Sequence, residues 1–331
     1  MARPPIRQPY RPILLDLMRR WKLKAEQMVN QSLRRMVEAY SLIYKRLQPQ
    51  IKNIELTIEA KPSITAQQIK QSAEYKSLIS AIGGELDDFT AFARMEIKVN
   101  NPAFLELAVL SVRDMFRDYK INIVTPDAMD FLVNYLAPDG ALMGRIKLWA
   151  PNCADQVTAS IIEGVSLGRN PRQIARGISK SLGVGLTDAM RTTRTVQLYS
   201  YREATRMNWL ANSDIVKGWI WFAELDDRTC MSCITMHGTI HPLTESLNDH
   251  YNGRCAMLPL LEGADYGLAN SKEWFDGLAE AAKIKQMGAA RYQAYMDGLF
   301  DFSRLSKIYN DPVYGKMRAE APLKDLLKGF N

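Results

Sequence analysis

The sequence has few of the features that mark membrane, secreted or nucleotide-hydrolysing proteins. It contains no run of about 18 apolar residues, so we expect no transmembrane helix. The N-terminus lacks the apolar segment and the small-residue cleavage site of a signal peptide. A phosphate-binding loop of the Gly-x4-Gly-Lys type is missing as well, which excludes a P-loop ATPase. What remains is an ordinary globular composition, 47% hydrophobic and 24% charged, and the 331 residues suggest about two domains.

Cysteine and histidine are scarce, and nearly all of them fall in one stretch. The chain has four cysteines and three histidines, of which three cysteines and all three histidines lie between Cys230 and Cys255. Scattered core residues would not cluster in this way. Cys153 stands apart and is expected to be an ordinary buried thiol. So few cysteines, mostly clustered, favour assembly in a reducing cytoplasm.

The spacing within this stretch predicts a metal site. Cys230 and Cys233 are separated by two residues, and a second pair, His250 and Cys255, follows. A two-residue gap lets one tight turn point both thiolates at a single ion, and a second pair completes a tetrahedral shell. We therefore predict a structural zinc ion, because a filled shell leaves no open position for catalysis. Its predicted ligands are Cys230, Cys233, His250 and Cys255. A reduced thiol cluster without metal and a disulfide remain the alternatives.

Other polar residues of the stretch have simpler interpretations. His237 and His241 are the alternatives to His250, but a glycine and a proline after them disfavour a regular helix that presents both on one face. Asp226 and Asp227 precede the first cysteine. We expect an aspartate here to accept backbone N–H hydrogen bonds and to hold the turn rigid, rather than to act as an acid catalyst.

The stretch from Asp226 to Cys255, with the segment before it, resembles the phage head morphogenesis family, the minor head proteins like protein F of phage Mu. The family pattern is a glycine and a short aromatic strand, then Asp-x-Arg-Thr-Cys-x-x-Cys, a Gly-containing loop, and His-x-x-Cys-Arg-Cys before a strand with Pro. The matching residues are Gly218-Trp219-Ile220-Trp221, Asp226 to Cys233, Gly238, His250 to Cys255 and Pro259. Gly253 replaces the first cysteine of Cys-Arg-Cys, which makes His250 more necessary as a ligand.

Two segments upstream extend the resemblance. Residues 168–175 are similar to the family's Gly-x-x-Pro-x-x-Ile-Ala helix start. Arg194-Thr195 is similar to its Arg-Thr-Glu, with Val196 where Glu is usual. The resemblance covers roughly residues 150–262, about a third of the chain.

The resemblance implies a minor head protein of a tailed bacteriophage, placed near the portal vertex inside the head. It implies a role in head morphogenesis, genome packaging or ejection, and partners among the portal and other head proteins. The implied location is the virion, with the host cytoplasm during assembly. We expect no catalysis, no membrane contact and no small-molecule substrate. The alternatives are a zinc-knuckle DNA-binding protein and a nuclease of the His-Asn-His type, although His241, Asn248 and His250 are closer together than a ββα-metal hairpin needs.

The basic excess lies in the first segment of the chain. The net charge is +7, and residues 1–50 hold eleven Lys or Arg against three acids, a net of +8 that leaves −1 for the other 281 residues. An apolar stripe through Met18, Trp21 and Met28 lies on the same segment. Charge and stripe together predict docking on the portal, and charge alone predicts contacts with DNA phosphates. The predicted contact residues are Arg3, Arg7, Arg11, Arg19, Arg20, Trp21, Lys22 and Lys24.

The hydrophobic periods predict a mainly α-helical protein of the α+β class. It comprises a helical domain, a small two-stranded, zinc-stapled β hairpin and a helical C-terminal tail. The predicted segments are 1–62 (basic arm and long amphipathic helix), 63–213 (helical domain), 214–262 (Cys/His knuckle with the hairpin) and 263–331 (helical tail).

Finer expectations concern helix ends and the hairpin. Pro49, Gly83-Gly84 and Pro102 are expected to kink, end or begin helices, and Thr187 to cap a new one. Residues 218–224 are the predicted strand, and residues 254–258 its partner. Because so small a module has little core, loss of the metal is expected to melt residues 218–260 and leave the helices folded.

Overall fold

A computed structural model describes residues 10–125 and 141–328 of the protein. The described residues are mainly α-helical, as predicted, and include two small antiparallel sheets. The first helices are α1 Tyr10–Ala60, α2 Ala66–Gln71, α3 Ala73–Met115, α4 Ala141–Lys147, α5 Trp149–Ser166 and α6 Pro171–Leu210. The sequence also predicts a short helix from Pro126 and a turn at residues 138–140, and both lie outside the described residues.

Helix α1 runs over 51 residues because its apolar residues keep one period. Buried side chains recur every three or four positions along most of its length. Pro49 lies inside the helix and does not end it, contrary to the expected break. Its ring removes one backbone hydrogen bond. Leu47 and Ile51 beside it are 1% and 4% exposed, so their burial holds the helix across this position.

Helix α3 also continues through residues that predicted breaks. Gly83, Gly84 and Pro102 all lie within it. The neighbouring Ile82 and Phe104 are each 0% exposed. Tertiary burial outweighs intrinsic helix propensity at these positions, so the chain stays helical.

Helix α6 joins two predicted helices into one of 40 residues. Its start is marked by Pro171 and by Asn170, whose side chain accepts the N–H of Gln173 at 2.9 Å. Thr187, expected to cap a new helix, instead donates its hydroxyl to the Gly183 carbonyl at 3.0 Å. This bond to the preceding turn satisfies the hydroxyl inside a continuous helix. The predicted break at Thr187 is therefore wrong.

The first sheet has three strands rather than the two predicted. Strand β1 Val216–Phe222 lies in the middle, and β2 Ile240–His241 and β3 Ala256–Leu261 pair with it antiparallel on either side. The pairing of β1 with β3 confirms the predicted partner strand. Strand β2 has only two residues, too few to show an alternating pattern. Gly218 allows its close approach, because a Cβ there would lie 2.6 Å from the His241 carbonyl oxygen.

The C-terminal tail is not wholly helical. The remaining elements are α7 Met231–Met236, α8 Ser271–Asp276, α9 Glu280–Met287, α10 Ala289–Met296, a 3-10 helix Phe302–Leu305, β4 Ser306–Asp311, β5 Gly315–Glu320 and α11 Leu323–Leu326. The sequence predicts a short helix over residues 303–309, but strands β4 and β5 form an antiparallel hairpin there. The Asp311 carboxylate accepts the N–H groups of Val313 and Tyr314 at 2.8 and 3.1 Å, and Gly315 has a φ of 72°. These turn residues favour a hairpin, and they outweigh the weak helical period of the flanking sequence.

The C-terminal elements give helix α7 an apolar core. Met231 and Ile234, each 0% exposed, pack in a cluster with residues from further along the chain. Those residues are Phe275, Met287, Tyr292, Ala294, Phe300, Phe302, Leu305, Ala321 and Leu326. The expectation of a knuckle with little core is therefore wrong, since the sequence after residue 263 supplies one.

Within the described ranges, residues 10–26, 102–125 and 198–328 form one compact unit, which we call the knuckle unit. Residues 27–101 and 141–197 form a second, the helical unit. Both are discontinuous because the boundaries fall inside α1, α3 and α6. The four segments predicted from the sequence stay a prediction. None of the helices in the described ranges has an apolar stretch long enough to span a bilayer.

Candidate metal centre

Helix α7 places two of the predicted ligands. Cys230 is its N-cap residue, and Cys233 lies in its first turn with its N–H donating to the Cys230 sulfur at 3.4 Å. The start of the helix is held from outside as well, because the Met231 N–H donates to the Glu320 carboxylate at 2.9 Å. With Met231 and Ile234 in the apolar cluster, both sulfurs are attached to a packed element.

His250 approaches the two sulfurs from the loop between β2 and β3. Its Nε2 lies 3.1 Å from the Cys230 sulfur and 3.3 Å from the Cys233 sulfur. Its Nδ1 is 2.8 Å from the carbonyl oxygen of Tyr251. A carbonyl only accepts, so this contact assigns a proton to Nδ1 and leaves Nε2 as the ring nitrogen that faces the thiols.

The geometry of these three groups fits a zinc ion. Their ligand atoms all lie within 4.8 Å of one another. A tetrahedral ion with a Zn–S distance of about 2.3 Å and a Zn–N distance of about 2.0 Å sets an S···N separation of about 3.5 Å. The two observed S···N separations, 3.1 and 3.3 Å, are shorter by only a few tenths of an ångström. Two sulfurs and an imidazole nitrogen are also the donors that zinc prefers.

Cys255, the fourth predicted ligand, lies next to this group. It is 5% exposed, and among the described residues it is not part of the group of three whose ligand atoms lie within 4.8 Å of one another. It lines a cavity of about 220 Å³ together with Cys230, Cys233 and His250. All four cysteines of the chain are free thiols. The structure brings the four predicted ligands to one cavity, and coordination by Cys255 stays a prediction.

These groups shift one another's pKa values. The hydrogen bond from Cys233 lowers the pKa of Cys230 against the effect of burial, and with the hydrogen bond and charge of His250 it falls to about 5. Burial disfavours protonated His250, but the hydrogen bond and charge of Cys230 outweigh it and raise the His250 pKa to about 10. Hydrogen bonds to Cys230 and Cys255, together with burial, raise the pKa of Cys233. Cys230 therefore favours the thiolate form, which is the form that binds metal cations.

His237 and His241 have other partners. His237 Nδ1 accepts the N–H of Ala223 at 3.0 Å, and burial lowers its pKa. His241 stacks on Trp219 with 4.2 Å between ring centroids, and its Nδ1 lies 3.1 Å from the Glu245 carboxylate. Among the described residues, neither histidine belongs to the group of candidate ligands.

Asp226 organises the turn that leads to Cys230. Its carboxylate accepts the N–H of Arg228 at 3.0 Å and the hydroxyl of Thr229 at 2.7 Å, and it pairs with Arg254 at 3.1 Å. Burial raises the pKa of this carboxyl, but the hydrogen bonds from Arg254, Thr229 and Arg228 outweigh burial and hold it well below its usual range. These contacts confirm the structural role expected for an aspartate in this turn.

A buried ion pair beside the site was not predicted from the sequence. Arg202 of α6 and Asp249 are 7% and 3% exposed, and their nearest N and O atoms are 2.9 Å apart. One signal for it was present in the sequence, because a charged residue interrupts the inner side of α6 between Tyr199 and Ala204. The partner could not be predicted, since Asp249 comes 47 residues later in an irregular loop.

The predicted partner-binding residues of α1 fall into two groups. Trp21 is 9% exposed, and its indole donates to the Asp114 carboxylate at 2.8 Å, so it packs inside the knuckle unit. Lys22 pairs with Glu224 at 2.9 Å. The side chains of Arg19, Arg20 and Lys24 are exposed. Arg3 and Arg7 lie outside the described residues, as does the side chain of Arg11. The role of all these residues in partner binding stays a prediction.

Comparison with known proteins supports the resemblance drawn from the sequence. Residues 155–258 match the model of the family described as Phage Mu protein F like protein. The matched residues run from α5 to β3, and include α6, β1, α7 and all four predicted metal ligands. No curated protein and no solved structure matches the chain. Over about a third of its length, the chain is thus similar to the Phage Mu protein F-like family, which confirms the predicted resemblance to phage head morphogenesis proteins.

Proposed function

We propose that this chain is a minor head protein of a tailed bacteriophage, and that it acts in head morphogenesis at the portal vertex. The observation that carries the proposal is the position of the family match, residues 155–258, which contains the whole Cys/His cluster. The similarity therefore includes the candidate metal ligands, whose side chains must meet at one point. We expect the protein to act during genome packaging or ejection. Its location would then be the inside of the head, after the head has assembled in the host cytoplasm.

The metal in this proposal is a structural zinc ion. Helix α7 would supply Cys230 and Cys233, and the loop before β3 would supply His250 and Cys255. Four ligands from the chain fill a tetrahedral shell, so no position is left for a substrate or an activated water. We propose no catalysis, in agreement with a site that holds two chain segments together. A nuclease of the His-Asn-His type is disfavoured by the contacts that His241 makes with Trp219 and Glu245.

The exposed surface near the start of α1 carries cations together with single apolar side chains at Ile13 and Leu23. Leu14, Met18 and Trp21 are buried, whereas Arg19 and Arg20 are exposed. A surface of this kind binds an acidic protein face or nucleic-acid phosphates. We propose the portal as the partner, with packaged DNA as the alternative that the same charges support.

Co-purification with the portal protein of the same phage tests the proposal. A variant with Arg19→Glu and Arg20→Glu is expected to lose the portal at moderate salt. The matched control is Lys316→Glu with Lys324→Glu, which makes the same change in net charge at exposed residues. Retention of the portal by both variants, or its equal loss in both, would remove the support for docking through α1.

DNA binding is distinguished by its dependence on salt. Neutralising about six phosphates gives a slope near −5 in a plot of log K against log salt concentration. The changes Arg3→Ala, Arg7→Ala and Arg11→Ala are each expected to reduce that slope by about one if the arm contacts phosphates. Binding with a flat salt dependence would exclude the DNA alternative. Zinc is tested separately by elemental analysis, where about one ion per chain is expected for a single filled site.

A further inference from the structure

Arg202 connects helix α6 to the loop that carries two of the predicted metal ligands. Its guanidinium donates to both carboxylate oxygens of Asp249, at 2.9 and 3.4 Å. It also donates to the backbone carbonyls of Gly253 and Cys255, at 3.0 and 2.6 Å. All these acceptors lie between residues 249 and 255, the segment that contains His250 and Cys255. One side chain therefore fixes this segment at both ends.

Asp249 completes the arrangement from inside the loop. Its Oδ2 accepts the Cys255 N–H at 3.4 Å. A Cβ added to Gly253 would lie 1.9 Å from the same oxygen, so the carboxylate occupies the space where a larger residue would place its side chain. The glycine at this position, the one departure from the family's Cys-Arg-Cys, is thus explained by the ion pair. The loop is built around Asp249 and Arg202 rather than around a further cysteine.

The two halves of the candidate site have different supports. Cys230 and Cys233 are held by α7, which packs in an apolar cluster. The half that carries His250 and Cys255 has its backbone set by Arg202 through charged hydrogen bonds. Burying an ion pair costs the hydration free energy of both charges, and their attraction often does not offset that cost. Stability alone is therefore a weak explanation for the pair. A geometric role explains it better, because a planar guanidinium fixes several acceptors at defined angles.

We infer that Arg202 and Asp249 are positioning residues for the metal centre, which hold the 249–255 loop so that His250 and Cys255 face the α7 cysteines. The inference rests on the proposed structural zinc. Residues that orient metal ligands from outside the coordination shell typically contribute 10–100-fold in metal affinity. A lysine at position 202 keeps the charge but lacks the fork that serves four acceptors, so it should not replace the arginine.

The test compares zinc affinity, measured by chelator competition, among folded variants of the full chain. Arg202→Lys and Asp249→Asn are each expected to bind zinc about 10–100-fold more weakly than the unchanged protein. The matched control is Arg206→Gln on the same helix, because Arg206 bonds Glu203 at 2.7 Å and the Leu243 carbonyl at 2.6 Å instead of the 249–255 loop. Its zinc affinity is expected to stay unchanged. Cobalt substituted for zinc gives a second readout, since its visible absorption bands should shift in Arg202→Lys and not in Arg206→Gln.

A further variant separates geometry from stability. Replacing the pair together, Arg202→Met with Asp249→Leu, keeps the volume and removes both charges, a change that often leaves stability intact. We expect circular dichroism to show a folded protein and zinc affinity still to fall, because the Gly253 and Cys255 carbonyls have lost their donor. Wild-type affinity in Arg202→Lys, or an equal loss in Arg206→Gln, would overturn the inference. If the unchanged protein binds no zinc, the proposed metal site fails instead, which is a different result.

Discussion

Removal of the proposed zinc ion should loosen the 249–255 loop and leave the sheet and helix α7 in place. An ion present at 1,000 times its dissociation constant stabilises the state it binds by about 4.1 kcal/mol. The effect of losing this contribution depends on how each part of the site is otherwise held. Met231 and Ile234 are 0% exposed, and burying a side chain of this size contributes about 1.5–3 kcal/mol each. Helix α7 thus keeps about 3–6 kcal/mol of apolar anchoring from these two residues alone.

The loop has weaker support of its own. Arg202 supplies charged hydrogen bonds to it, but a buried ion pair of this kind often adds little net stability, because removing its charges from water offsets their attraction. The proposed metal would therefore be a larger share of the loop's stability than of the helix's. This expectation replaces the one drawn from the sequence, in which residues 218–260 melt together.

Hydrogen exchange measured by mass spectrometry resolves the two outcomes. Chelator treatment, or the variant Cys230→Ala, should raise exchange in residues 249–255 and leave β1 and α7 protected. Cys153→Ala is the matched control, because Cys153 belongs to the helical unit and should not affect metal content. If exchange rises as one cooperative step across residues 216–261, the apolar cluster does not hold the knuckle, and the energetic reasoning is refuted.

Three further predictions follow from single contacts. Gly253→Ala should lower zinc affinity and the unfolding midpoint in denaturant, because its Cβ would meet the Asp249 carboxylate at 1.9 Å; an unchanged midpoint would contradict this. Asp226 has a lowered pKa, so its contribution is complete above the usual aspartate pKa of about 3.9 and is lost as pH falls below it. In Asp226→Asn, the free energy of unfolding measured in urea should therefore fall less steeply at acid pH than in the unchanged protein. The same acid dependence in both proteins would argue against this role. Trp21→Phe removes the donor to Asp114 and should cost about 0.5–1.5 kcal/mol in the same assay, with portal co-purification unchanged if Trp21 is a core residue only.

Residue spacing and hydrophobic pattern predicted the parts of the site that are formed by residues close together in the sequence. The Cys-x2-Cys spacing placed two sulfurs at the start of one helix, and the aromatic run at residues 218–222 predicted strand β1. His250 was singled out by its spacing from Cys255, and the structure places it 3.1 Å from the Cys230 sulfur. The strand after Arg254 was found because a knuckle of this kind is closed by a second strand.

What could not be predicted depends on contacts between distant residues. Helices α1 and α3 pass through Pro49 and Pro102 because neighbouring apolar residues are buried, and burial is not visible in a local pattern. The hairpin β4–β5 was missed because residues 303–309 show a short apolar period, and the turn from Asp311 to Gly315 was not recognised. Arg202 is the clearest case, since its partner Asp249 is 47 residues away and only the folded loop brings them together.

The discontinuity of the knuckle unit has a consequence for the order in which the chain is made. Leu14 and Trp21 belong to the same unit as residues 198–328, yet they leave the ribosome before them. At a synthesis rate of about 5–20 residues per second, the stretch between residues 26 and 198 delays completion of that unit by roughly 10–35 s. During that time the first turns of α1 expose apolar side chains beside a row of cations. Newly made chains are therefore expected to be clients of chaperones that shield such segments, and synthesis truncated before residue 198 should give insoluble product.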